Sequence, residues 1–237
     1  MLPNLNLPEF ITTLPSNSRE VSFRPFLVKE EKILLMALEG GDSKEIENSV
    51  IKILCNCIDM TDDEVAELPS FDIEYLFLQL RAKSVDNIVK LKLSHEDKEK
   101  CNHSTEYELD LNDINVLTDP DHNSRIMLTE NAGVVMSYPS MKNNKGLEEA
   151  SKDSAVDSMF EMIANNIEMV FDQDNVYEDA PQSDKVDFIG NLNKTQFEKI
   201  LNFYKTVPAV SHDINFTCEM CGETESINIR GLSGFFL

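Results

Sequence analysis

The chain has 237 residues, enough to bury a core in one large domain or two small ones. Its 41% hydrophobic and 27% charged content is that of an ordinary soluble globular protein. Its 43 acidic residues against 21 basic ones are not ordinary, and the formal charge of −22 disfavours nucleic acid and anionic membrane surfaces while favouring basic protein partners. The five cysteines do not form an even disulfide framework, which points to a reducing cytosol. Met1-Leu2-Pro3-Asn4-Leu5-Asn6-Leu7-Pro8 lacks the basic and apolar regions of a signal peptide, and no apolar run approaches a membrane span.

In chain order, residues 1–27 read as an extended arm. Prolines at 3, 8, 15 and 25 oppose helix there, and Val21-Ser22-Phe23-Arg24 alternates like a strand. Residues 28–86 form a helical region. The first helix carries Val28, Ile33, Leu34, Leu35, Met36 and Leu38 on a broad apolar face and stops at Gly40-Gly41. Asp42-Ser43 caps a second, with Ile46, Val50, Ile53, Leu54, Cys57 and Ile58 at helical spacing; Cys57 belongs to the core, on a different face from Cys55. Thr61 with Glu64 makes a capping box for a short helix ending before Pro69. The helix after it is apolar almost all round through Ile73, Tyr75, Leu76, Phe77, Leu78 and Leu80, so it should be buried. Arg81, Lys83 and Lys90 read as solvated charges.

Residues 87–139 read as an antiparallel β region. Asn87–Leu93 alternates as a strand leading to Cys101-Asn102-His103, and Thr105–Leu111 alternates after it. Ile114–Val116, Ile126–Leu128 and Gly133–Tyr138 are further short strands, with Asp119-Pro120-Asp121-His122 a turn. His95 and His122 read as exposed rather than ligating. Residues 140–153 form a polar linker, and residues 154–237 supply two helices and a terminal hairpin. One helix is expected from Ser154 to Phe171, and another from Lys194 to Lys205, capped by Asn193 or Thr195 and stopped by Pro208. Asp172-Gln173-Asp174 opens like a calcium loop, but no central glycine or remaining ligands follow. Val176-Tyr177 is a short strand. The terminal Phe235-Phe236-Leu237 should pack on the fold or on a partner.

Cys218-Glu219-Met220-Cys221-Gly222 has the form of a zinc knuckle, with thiolates two residues apart and a glycine for the left-handed corner. A knuckle is half of a tetrahedral site. The one other place where cysteine and histidine sit together is Cys101-Asn102-His103, so the expected structural Zn2+ ligands are Cys101, His103, Cys218 and Cys221. His212 is the competitor for the fourth position. Ser226–Arg230 alternates after the second knuckle, so two hairpins sharing one ion would pin the chain's end to its middle. Four protein ligands leave no place for a catalytic water. Phosphate-binding, nucleophile-elbow, metalloprotease and dinucleotide motifs are all missing, and no residue set reads as catalytic. The fold class is α+β: an N-terminal helical subdomain, a small antiparallel sheet with a two-knuckle zinc site, and two further helices.

Two stretches are distinctive: Phe23-Arg24-Pro25-Phe26-Leu27-Val28-Lys29-Glu30-Glu31-Lys32 with Leu34-Leu35-Met36-Ala37, and Phe71-Asp72-Ile73-Glu74-Tyr75-Leu76-Phe77-Leu78-Gln79-Leu80-Arg81-Ala82-Lys83-Ser84. They resemble the signature of the T4-type bacteriophage baseplate hub assembly family. The resemblance implies a late protein of a contractile-tailed phage acting on the central baseplate hub, with no enzymatic mechanism to transfer; the acidic charge and apolar ends add the expectation of an assembly factor or chaperone that holds hub components. Its partners would be hub or tape-measure proteins and its place the host cytoplasm, or the virion baseplate if it is a retained structural subunit. No metal ligands come with the resemblance; the zinc expectation rests on spacing alone.

Overall fold

A computed structural model describes residues 7–95, 101–144 and 155–231 of the chain. The expectations for the first six residues, for residues 145–153 of the polar linker and for Phe235-Phe236-Leu237 lie outside the described residues, while the start of that linker, Met141–Asn144, is helix. Strands β1 (Phe10–Thr13) and β2 (Glu20–Phe23) open the chain, followed by helices α1 (Val28–Gly40), α2 (Ser43–Cys57), α3 (Asp62–Glu67) and α4 (Ser70–Ser84). Next come β3 (Ile88–Ser94), β4 (Ser104–Asp110), a 3-10 turn at Leu111–Asp113, β5 (Asn115–Leu117), β6 (Arg125–Met127) and β7 (Gly133–Met136). After α5 (Met141–Asn144) lie α6 (Ala155–Asn165), β8 (Ile167–Phe171), β9 (Val176–Tyr177), α7 (Gln182–Gly190), α8 (Lys194–Thr206), β10 (Ala209–Thr217) and β11 (Thr224–Arg230). The α+β class holds.

The chain divides into two compact units. The first comprises Met1–Val65, Phe71–Leu117 and Ala209–Leu237; the second comprises Ala66–Ser70 and Thr118–Pro208. The stretch read as one β region is therefore shared between units, with its division after Leu117.

In the first unit the expected extended arm is a hairpin: β1 and β2 pair antiparallel from Phe10↔Phe23 to Thr13↔Glu20. Its turn is fastened to α4, because buried Asp72 accepts hydrogen bonds from both the backbone N–H and the hydroxyl of Ser16. The N-terminus of α1 is built on Glu30, which is only 1% exposed. Its carboxylate accepts from the Leu27 N–H at 2.8 Å and meets Arg24 Nη2 and Lys29 Nζ at 3.3 Å. Gly41, at φ +70°, closes the other end with its N–H on the Ala37 carbonyl, the left-handed cap that glycine favours. The broad apolar face expected on α1 is only partly used: Leu34 and Ala37 are buried, whereas Val28, Leu35 and Met36 are exposed. Helix α2 follows its pattern, with Val50, Ile53, Leu54 and Cys57 buried and Asp42 accepting from the Lys44 N–H. Thr61 and Glu64 cap each other reciprocally, as their spacing requires.

Helix α4 is buried almost all round, through Phe71, Ile73, Leu76, Phe77, Leu78 and Leu80. Leu78 joins a core made by the inward residues of two sheets: Val89, Leu91 and Leu93 of β3, Leu109 of β4, and Val210, Ile214 and Phe216 of β10. Strands β3 and β4 form one antiparallel hairpin, paired from Ile88↔Asp110 to Ser94↔Ser104. Strands β10 and β11 form a second, from Ser211↔Arg230 to Thr217↔Thr224, and β5 adds to the other edge of β10 through Ala209↔Leu117. Period-two alternation faces both hairpins inward on the same core.

The second unit is a four-stranded antiparallel sheet in the order β6-β7-β8-β9, with a core of Val134, Met136, Ile163, Ile167, Ile189, Ile200 and Phe203 among others. The helix expected to reach Phe171 ends at Asn165, and Ile167–Phe171 is strand. Fully buried Asn166 makes the break: its side-chain amide donates to the Met162 carbonyl at 2.9 Å, and its own carbonyl accepts from the Ser137 N–H at 2.8 Å. His122 is partly buried here rather than exposed. Its ring stacks on Tyr138 with centroids 5.5 Å apart and lies 5.0 Å from that of Phe203.

Candidate metal centre

The two hairpins of the first unit place their ligand-bearing residues alike. In β10–β11 the first residue after the strand is Cys218, and Cys221 comes three residues before Thr224 opens the return strand. In β3–β4 the first residue after the strand is His95, and Cys101 comes three residues before Ser104. The last paired residues, Thr217↔Thr224 and Ser94↔Ser104, therefore flank equivalent positions on each hairpin. Potential ligand atoms of His95, Cys101, Cys218 and Cys221 all lie within 4.8 Å of one another.

Three of the expected four residues are thus brought together, and the histidine is different. His103 sits beside Cys101 in sequence but is not in the group, and His212 pairs with Ile229 inside the β10–β11 ladder. His95, read from sequence as exposed, is only 5% exposed and points into the cluster. Its signal was its register at the end of an alternating strand, matching that of Cys218, rather than its distance from a cysteine.

The distances suit a tetrahedral ion. The Cys101 and Cys218 sulfurs are 3.8 Å apart, and Cys221 Sγ is 3.3 Å from His95 Nε2. Zinc bound to thiolate at about 2.3 Å and imidazole at about 2.0 Å spaces its ligand atoms about 3.5–3.8 Å apart, so the widest pair in the group would close by about 1 Å. The Cys218 turn is preformed: Gly222, at φ +75°, donates its N–H to the Cys218 carbonyl at 2.9 Å, and the Cys218 N–H donates to Glu223. The Glu219 N–H donates to buried Thr105 of β4 at 3.4 Å, a direct tie between the hairpins.

Electrostatics favour a cation here. The backbone N–H groups of Cys221 and Met220, with His95, pull the Cys218 thiol down to about 6 against the opposing effect of burial. Hydrogen bonds to Cys218, Glu225 and Cys221 push His95 up to about 9. A proton and a metal ion compete for the same place between imidazole and thiolates. On its other side, His95 Nδ1 is 2.6 Å from Glu225 Oε2. Cys55 and Cys57 take no part: burial pushes each thiol up to about 11, as expected of cysteines with a packing role.

The class these features define is an acidic α+β protein whose two hairpins meet at a Cys3His cluster suited to a structural ion. The chain belongs to the family described as T4 bacteriophage base plate protein, whose model matches residues 7–237. No curated protein and no solved structure matches it.

Proposed function

We propose that this baseplate protein is a non-enzymatic assembly factor that binds components of the central hub, or the tape-measure protein, in the host cytoplasm before they enter the tail. The observation that carries this reading is the family match across residues 7–237 in a chain of net charge −22. A large negative charge keeps a protein soluble and attracts basic partners over distance, which suits transient holding more than permanent packing. The family description equally accommodates a structural subunit retained in the mature baseplate, the competing reading.

Part of the same proposal is a structural Zn2+ ion at His95, Cys101, Cys218 and Cys221. Thiolate-rich N/S donor sets select zinc over magnesium or calcium, and four protein ligands complete its tetrahedron without water. Such an ion holds the two hairpins together and supplies no open position for chemistry. The deciding experiment is quantitative mass spectrometry of mature particles beside infected-cell lysate. The assembly-factor reading expects abundant protein in lysate and none in particles; a fixed copy number per particle makes it a baseplate subunit.

A further inference from the structure

We propose that Glu225 is a working part of the metal centre, the carboxylate that selects Nε2 of His95 as the ligand atom. The inference rests on the zinc reading above and adds a residue and a role to it. Glu225 lies on β11, four residues beyond Cys221, so the hairpin that carries two cysteines also carries the group that orients the histidine of the other hairpin. The 2.6 Å contact is assigned as a hydrogen bond in which Nδ1–H donates and Glu225 Oε2 accepts. That keeps a proton on Nδ1, so the nitrogen left to exchange its proton for a metal ion is Nε2, which lies 3.3 Å from Cys221 Sγ. The ring is also held by Phe216, with centroids 6.0 Å apart. The imidazole therefore has one orientation and one nitrogen that can exchange its proton for a metal ion.

Two consequences follow. Removing the carboxylate should weaken metal retention even though Glu225 does not itself touch the ion, because orienting partners of metal-bound histidines contribute about 10–100-fold in affinity. The effect should also depend on residue 95 being histidine. A cysteine there needs no tautomer and accepts no help from Glu225.

The test is a double-mutant cycle on the full chain: Zn2+ affinity by competition with a chromophoric chelator, and the absorption spectrum of the Co2+-substituted protein. Glu225→Gln should lower Zn2+ affinity about 10–100-fold with His95 present. In a His95→Cys background, where Co2+ should show the stronger sulfur charge-transfer bands of a four-thiolate site, the same change should move affinity by less than about twofold. Equal losses in both backgrounds would make Glu225 a merely structural residue, and no loss with His95 present would overturn the inference while leaving the zinc site intact. Wild-type protein that is folded and binds no Zn2+ would overturn the site and this role together.

Discussion

Glu30 is a buried carboxylate whose partners decide its protonation. Burial pushes its pKa up, but the Leu27 N–H, Lys29 and Arg24 outweigh that and hold it below the ordinary value of 4.5. The ionised form is therefore favoured in the folded chain. Its contribution is complete above the ordinary glutamate range and is lost as pH falls through the lowered folded value. Glu30→Gln should cost about 1–3 kcal/mol near neutral pH, leaving the Arg24 guanidinium without its counter-charge. Chemical denaturation at pH 7 and at pH 3 checks it: the gap between variant and wild type should narrow at the lower pH. At this scale the sequence was partly readable. Type and spacing single out Cys101, Cys218 and Cys221, which the fold gathers, but place beside them His103, where the fold places His95. Proximity to a cysteine in sequence is a poor guide to which side chains share a site. What mattered was which residue immediately follows each inward-facing strand.

Gly133 opens β7 opposite Phe171 of β8 and Met127 of β6. A Cβ there would lie 2.3 Å from the Ile126 carbonyl oxygen and 2.6 Å from Phe171 Cζ. The first neighbour is backbone and cannot rotate aside. Gly133→Ala should therefore destabilise the protein by about 1–3 kcal/mol, the cost of overpacking, instead of giving the small gain expected of alanine in a strand. Thermal denaturation measures this directly. An unchanged or raised midpoint would mean that the sheet can open at this point. Short alternating strands and capped helices were legible because each pattern states its own period. The boundary at Asn166 was not, because Ile163, Ile167 and Val170 fit a helix as well as Ile167, Met169 and Phe171 fit a strand. A buried asparagine, bonded to both elements, settles it. Helix α7 was missed for a related reason: buried Ile189 is its main apolar anchor, too little for a periodic signal.

At the scale of the whole molecule, charge and metal make separate predictions. If a net charge of −22 steers a basic hub component, raising salt from about 50 to 500 mM should slow association about tenfold or more, with a much smaller change in dissociation. Stopped-flow mixing with the captured partner checks it, and a salt-independent on-rate would count against charge steering. Elemental analysis of untagged protein should give roughly one zinc per chain, and Cys218→Ser should lose it along with thermal stability. The division into two units was hidden from a linear reading, because Thr118–Pro208 leaves and rejoins the first unit between neighbouring strands: Leu117 and Ala209 are paired partners.

That pairing has a consequence for the order in which the molecule is made. The ribosome delivers all of Thr118–Pro208 before β10 exists, so the second unit has its full sequence while the first still lacks two strands of its sheet. Cys101 must then wait for Cys218, 117 residues further along, before the thiol cluster can gather. If the proposed ion is bound, its capture comes late, after the slow closure of a distant contact, and a nascent chain halted before Cys218 cannot form the cage. Zinc content would then report whether a chain extends past Cys221, separating those that do from shorter ones by atom count alone.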